Sequence, residues 1–149
     1  MISTGSVGDQ GWDTHRLGHE QNPLLGRECD PAYSTLLVDL ADRGMLDNTL
    51  VVWMGEFGRT PKFKADGGRE HYAEGWQVGL SGAGVRGGQV IGATDANGVA
   101  VTDRPISVPD LFRTFCHVLS INPAEEYVTA DRRPIKIVEH GEVIRELFS

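Results

Sequence analysis

Cysteine is scarce in this chain of 149 residues. Its two, Cys29 and Cys116, stand far apart, and neither belongs to a Cys-x-x-Cys pair. That excludes a disulfide framework and a zinc finger, leaving at most one long-range bridge. Cys116 falls within a helical pattern, where burial as a small hydrophobe is the expected role. Long apolar runs are missing too, since nothing approaches the roughly 20 residues that a membrane-spanning helix needs. Positive charge is in deficit: 14 Lys and Arg stand against 21 Asp and Glu, a formal net charge of −7. The basic residues are scattered, so neither nucleic acid nor an anionic membrane surface is an expected partner. Met1 to Gly11 lacks the basic-then-apolar order of a secretory leader. No internal repeat or low-complexity linker divides the chain, and its length suits one core, so a single domain over residues 1–149 is expected.

What the sequence has in quantity is glycine, 19 residues. Many stand beside polar side chains: Gly11, Gly55, Gly58, Gly67, Gly68, Gly82, Gly84, Gly87 and Gly88. Such clusters suit functional loops carried on a scaffold. Ser3 to His15 reads as a loop. Asp30 as a cap, Pro31 in a first turn and Gly44 as a stop predict a helix, with Tyr33, Leu36, Leu37, Leu40 and Ala41 as its apolar stripe. Thr49 to Met54 is a continuous apolar run, the pattern of a strand buried on both faces of a mainly parallel sheet. The turn from Gly55 to Pro61 would then occupy the carboxyl end of that strand, where open α/β sheets bind ligands. Trp76 to Leu80 predicts another strand, and Asn97-Gly98 predicts a hairpin between Gln89–Thr94 and Val99–Thr102. Ser107 with Asp110 forms a capping box opening a helix that buries Leu111, Phe112, Phe115, Val118 and Leu119. A strand at Ile135–Val138 and a short helix at Val143–Phe148 close the chain. The expected fold is α/β, a mainly parallel sheet with flanking helices and a β-hairpin excursion.

Asp13 and His15 are two positions apart, so in an extended segment both side chains leave the same side of the backbone. A carboxylate oxygen and an imidazole nitrogen together suit zinc, manganese or iron. The alternative is that Asp13 caps a turn while His15 is solvated. Glu56 follows a strand directly, held between Gly55 and Gly58, where it could bind a metal or act as a general base. Arg59 could pair with Glu56 or meet an anionic substrate with its planar fork. His71 could be a further ligand with Glu70 as its partner, or an ordinary loop histidine. His19, His117 and His140 read as solvated or capping residues.

Gly11-Trp12-Asp13-Thr14-His15, Gly55-Glu56-Phe57-Gly58-Arg59-Thr60-Pro61 and Gly68-Arg69-Glu70-His71-Tyr72 resemble the three linked motifs of the bacterial family called domain of unknown function 1501. The stretch Gly82 to Asp95 resembles its following glycine-rich segment, and the likeness runs from Gly11 to Phe148. That family is similar to the alkaline phosphatase and sulfatase superfamily. The resemblance implies an alkaline-phosphatase-like fold, Asp13, His15 and His71 at one metal, and Glu56 at a second, the divalent cation being zinc, manganese or calcium. It also implies that Arg59 neutralises the oxygens of a small anionic ester, so Glu56 and Arg59 are the candidate catalytic residues. Three departures stand out: Glu56-Phe57 where phosphatases carry Asp-His, Glu70 where the family usually has Asp, and no candidate nucleophile segment before Gly11. The expectation is therefore the carboxy-terminal part of a larger domain, incomplete at its amino terminus, whose longer relatives look exported. The leading function is a metal-dependent phosphate or sulfate ester hydrolase with an incomplete catalytic set. A non-catalytic binding or assembly domain is the alternative, and an exposed sheet edge would favour self-association.

Overall fold

A computed structural model describes residues 11–148. The leader pattern and the start of the first loop fall on residues 1–10, outside the described residues. The first helix, α1, spans Gly18–Asp42, beginning well before the Asp30-Pro31 signal and holding Pro23 and Pro31 inside it. An interior proline gives up one backbone bond and crowds the carbonyl a turn earlier. At the helix entry two backbone donors find long-range partners: Leu17 N–H donates to Asp66 O and Gly18 N–H to Gly67 O. The far end closes as its sequence reads. Gly44 adopts φ 65, its N–H bonds Ala41 O, and Met45 N–H bonds Leu40 O, the paired bonds of a Schellman stop. The predicted stripe is only partly covered, with Leu40 buried, Tyr33 and Leu37 half-buried, and Leu36 and Ala41 exposed.

A 3-10 turn at Leu46–Asn48 leads into short strands β1 (Val51–Met54), β2 (Gly58–Arg59), β3 (His71–Tyr72), β4 (Val78–Ser81), β5 (Ala93–Thr94) and β6 (Val101–Asp103). Helix α2 (Val108–Val118) follows, then β7 (Glu126–Val128), β8 (Pro134–Lys136) and a 3-10 turn at Arg145–Phe148. The strands form four separate two-stranded antiparallel ladders, β1 with β4, β2 with β3, β5 with β6 and β7 with β8. This overturns the expected mainly parallel, alkaline-phosphatase-like sheet with flanking helices. A parallel neighbour needs a crossover connection, usually a helix, and residues 55–107 contain none. The apolar run was the misleading signal. β1 faces α1 on one side, where the Trp53 ring meets Tyr33 edge-on at 4.8 Å. Yet Trp53 and Met54 remain 39% and 49% exposed, so the strand is not buried on both faces.

The hairpin excursion matches its turn signal. Asp95 Oδ1 accepts the Val99 N–H at 2.7 Å, and Gly98 takes φ 70. The capping box on α2 is present, with Asp110 N–H donating to Ser107 Oγ and Ser107 N–H to Asp110 Oδ2. Leu111 is buried on α2 as expected, but Phe112 and Leu119 are exposed. Buried Thr114 takes the central place instead: its hydroxyl donates to Asp110 O and accepts the Ile144 N–H, fastening the C-terminal segment to the helix. Cys116 is buried beside it, and no disulfide joins Cys29 to Cys116. None of the described helices is long and apolar enough to cross a membrane.

Candidate metal centre

Three separated turns converge at one end of the β2–β3 ladder. The first is the loop before α1, where Thr14 N–H bonds Trp12 O and His15 N–H bonds Asp13 O, two successive three-residue turns rather than the expected extended segment. The second is the Gly55–Pro61 turn and the third is Gly67–Tyr72. Their close approach depends on glycine. A Cβ on Gly68 would lie 1.8 Å from His15 O, and one on Gly58 would lie 1.5 Å from Gly75 O.

Arg69 fastens the three together, a role the sequence did not signal. Its backbone N–H donates to Thr14 O, while its guanidinium donates to Thr60 O at 2.5 Å and Arg59 O at 3.0 Å. The same guanidinium lies 5.2 Å from the centre of the Phe63 ring. The Phe63 ring is also stacked by His19 at 3.9 Å, so His19 packs rather than simply being solvated. Thr60 completes the register, donating its N–H to Glu70 O and accepting the Glu70 N–H on its hydroxyl.

At the meeting point, Asp13 Oδ1 lies 3.0 Å from His15 Nε2 and 3.0 Å from His71 Nε2, and the two imidazole nitrogens are 3.1 Å apart. Asp13, His15 and His71 thus form a candidate three-residue metal site. The edges of this triangle are close to the roughly 3.3 Å between neighbouring ligands in a tetrahedral shell with zinc bonds of 2.0–2.1 Å. Proton placement supports the fit. Glu70 Oε2 meets His15 Nδ1 at 2.7 Å, and Lys64 Nζ meets Glu70 Oε1 at 2.5 Å. Bonding from Lys64, then from His15, holds the Glu70 carboxyl below its ordinary value. An ionised Glu70 only accepts, so His15 carries a proton on Nδ1, and in the neutral ring Nε2 presents a lone pair. That lone pair faces the Asp13 carboxylate, itself held at about 2 by hydrogen bonds from His71 and Arg59. At 3.0 Å, either a proton on Nε2 or a cation shared with Asp13 reconciles the two groups.

Sequence proximity assigned Glu70 to His71, and the structure gives it to His15. Arg59, expected to pair with Glu56 or a substrate, places Nη2 at 2.6 Å from Asp13 Oδ1 and at 3.9 Å from Glu56 Oε1. Glu56 itself lies beside the triangle, 3.8 Å from His71 Nε2 and largely exposed. Phe57 packs its ring against His71 at 4.3 Å. Lys64 was missed because it follows no periodic or paired pattern in the sequence.

These motif residues are matched as a set, since residues 4–148 fit the family model described as Protein of unknown function (DUF1501). The chain belongs to the DUF1501 family. No curated protein and no solved structure matches it.

Proposed function

We propose that this DUF1501 chain is a metal-dependent hydrolase domain acting on phosphate or sulfate esters, similar to the alkaline phosphatase and sulfatase superfamily in its chemistry. The observation that carries the reading is the triangle of Asp13 Oδ1, His15 Nε2 and His71 Nε2, with His15 Nδ1 bonded to Glu70. Two imidazoles and one carboxylate suit zinc or another transition metal, whereas calcium takes oxygen ligands. When bound, such a cation polarises an ester oxygen and lowers the pKa of a bound water or hydroxyl.

The chain's own residues divide the remaining work. Asp13, His15 and His71 hold the cation. Glu70, anchored by Lys64, keeps His15 in the ligating tautomer. Glu56 lies beside the triangle, and its assigned part is to hold a second cation or a transferred proton. Arg59 presents a planar cation to the oxygens of an anionic ester. Metal analysis of protein purified without chelator, coupled to turnover of aryl phosphates and aryl sulfates, tests the proposal. The expected result is bound zinc or manganese and metal-dependent turnover, both lost in Asp13→Ala and His71→Ala. Absence of metal binding in the wild-type chain would overturn it.

A further inference from the structure

Asp13 Oδ1 already holds a cation. Arg59 Nη2 approaches it to 2.6 Å, and the Arg59 side chain is only 19% exposed. The other terminal nitrogen, Nη1, is enclosed with no acceptor among the described residues. The guanidinium is thus held to Asp13 through one nitrogen instead of the two-pronged grip that this group normally makes on a carboxylate. We propose that Arg59 is a resident counter-ion that competes with a divalent cation for Asp13, and that Glu56 takes over the guanidinium when the cation arrives. The inference rests on the metal reading of the triangle but not on any role of Glu56 in it.

Charge and reach both favour the exchange. A dication bound at Asp13 stands within a few ångströms of a guanidinium bonded to the same oxygen, and like charges at that range repel. Arg59 can relieve the repulsion without moving its backbone, because its carbonyl is fixed by Arg69 Nη2 at 3.0 Å. Glu56 Oε1 is already 3.9 Å from Nη2. A small side-chain rotation would bring the guanidinium onto Glu56, whose exposed carboxylate can accept from two nitrogens. The exchange keeps the local charge balanced: the arriving cation takes the Asp13 carboxylate, and Arg59 takes that of Glu56.

Titration of the full chain with zinc, following affinity by competition with a chromophoric chelator, tests this. Arg59→Met removes the competitor and should bind zinc about 10-fold tighter than wild type, within the usual span of coupling between charged sites. Arg59→Lys keeps the charge and should stay within about 2-fold of wild type. Glu56→Gln should weaken binding several-fold in the wild-type background and have no effect in the Arg59→Met background. Should Arg59→Met fail to fold, Arg59→Gln serves in its place. A folded Arg59→Met or Arg59→Gln that binds zinc no tighter than wild type overturns the proposal. So does equal weakening by Glu56→Gln in both backgrounds, which would make Glu56 a direct ligand. Failure of the wild-type chain to bind zinc is a separate result that removes the metal reading and this inference with it.

Discussion

His15 Nδ1 and Glu70 Oε2 meet at 2.7 Å across a sequence separation of 55 residues, and that contact decides which nitrogen of His15 faces Asp13 and His71. Glu70 is a positioning residue, so its removal should act on the imidazole rather than on the fold. Glu70→Ala is expected to weaken divalent-metal binding about 10- to 100-fold, the usual cost of losing an outer partner of a ligating histidine. Glu70→Gln, which still offers a carbonyl acceptor to Nδ1, should recover part of that loss. Nitrogen-15 NMR of the histidine rings gives a readout that general destabilisation would not produce. His15 should be protonated on Nδ1 in wild type and Glu70→Gln and should become a tautomer mixture in Glu70→Ala. An unchanged tautomer in Glu70→Ala would remove the assigned role.

Local chemistry was legible in the sequence and long-range pairing was not. Ser107 with Asp110, Asn97-Gly98 and Gly44 act through neighbours within a few residues, so each signal fixed its cap, turn or stop. Asp13, His15, Glu56, Arg59 and His71 were recognisable because glycines mark the turns that carry them, and all five lie within one small region. Their partners were a different matter. Glu70 neighbours His71 in sequence, but adjacent residues on a strand point to opposite faces, and the docked loop before α1 brings His15 to Glu70 instead. The parallel sheet rests on the alkaline-phosphatase-like resemblance and on the apolarity of residues 49–54, a property that cannot distinguish a buried central strand from one arm of a short ribbon. The start of α1 differs from its expected place for a related reason: Asp30-Pro31 reads locally as a start, whereas the helix begins at Gly18, where Leu17 and Gly18 bond the carbonyls of Asp66 and Gly67, far along the chain.

Gly68 is where fold and site are most tightly joined. A Cβ there would lie 1.8 Å from His15 O and 2.2 Å from His15 C, both backbone atoms that cannot swing aside. Gly68→Ala should therefore push the loop carrying Asp13 and His15 away from β3. The expected cost is about 2–3 kcal/mol in urea unfolding, typical of overpacking against backbone, with loss of metal binding. Gly26 provides the control, since it lies within α1 with nothing within 4 Å of an added Cβ. Gly26→Ala should stabilise the chain by about 0.5–1 kcal/mol. If Gly68→Ala melts like wild type, the loop is not held by that close approach.

The start of α2 supplies a test by pH. The Ser107 hydroxyl, with backbone N–H groups of Glu142 and Ser107, holds the Asp110 carboxyl below its ordinary value of 3.8. A carboxyl whose value is lower in the folded chain stabilises the fold at pH above the ordinary value. That contribution fades as pH falls through the ordinary value towards the folded one. Asp110→Ala should cost about 1 kcal/mol near neutral pH, the usual worth of a helix cap, and Ser107→Ala should cost a similar amount because the two groups bond reciprocally. The double variant should lose less than the sum. Glu146, held at about 2 by Arg104, titrates in the same direction and keeps its own share of the acid sensitivity in every variant. The decisive quantity is consequently the gap between wild type and Asp110→Ala, measured by thermal unfolding at a series of pH values. It should narrow steadily between about pH 5 and pH 3. A gap that stayed constant over that range would mean that the ionised carboxylate is not what holds Ser107, Glu142 and the first turn of α2 together.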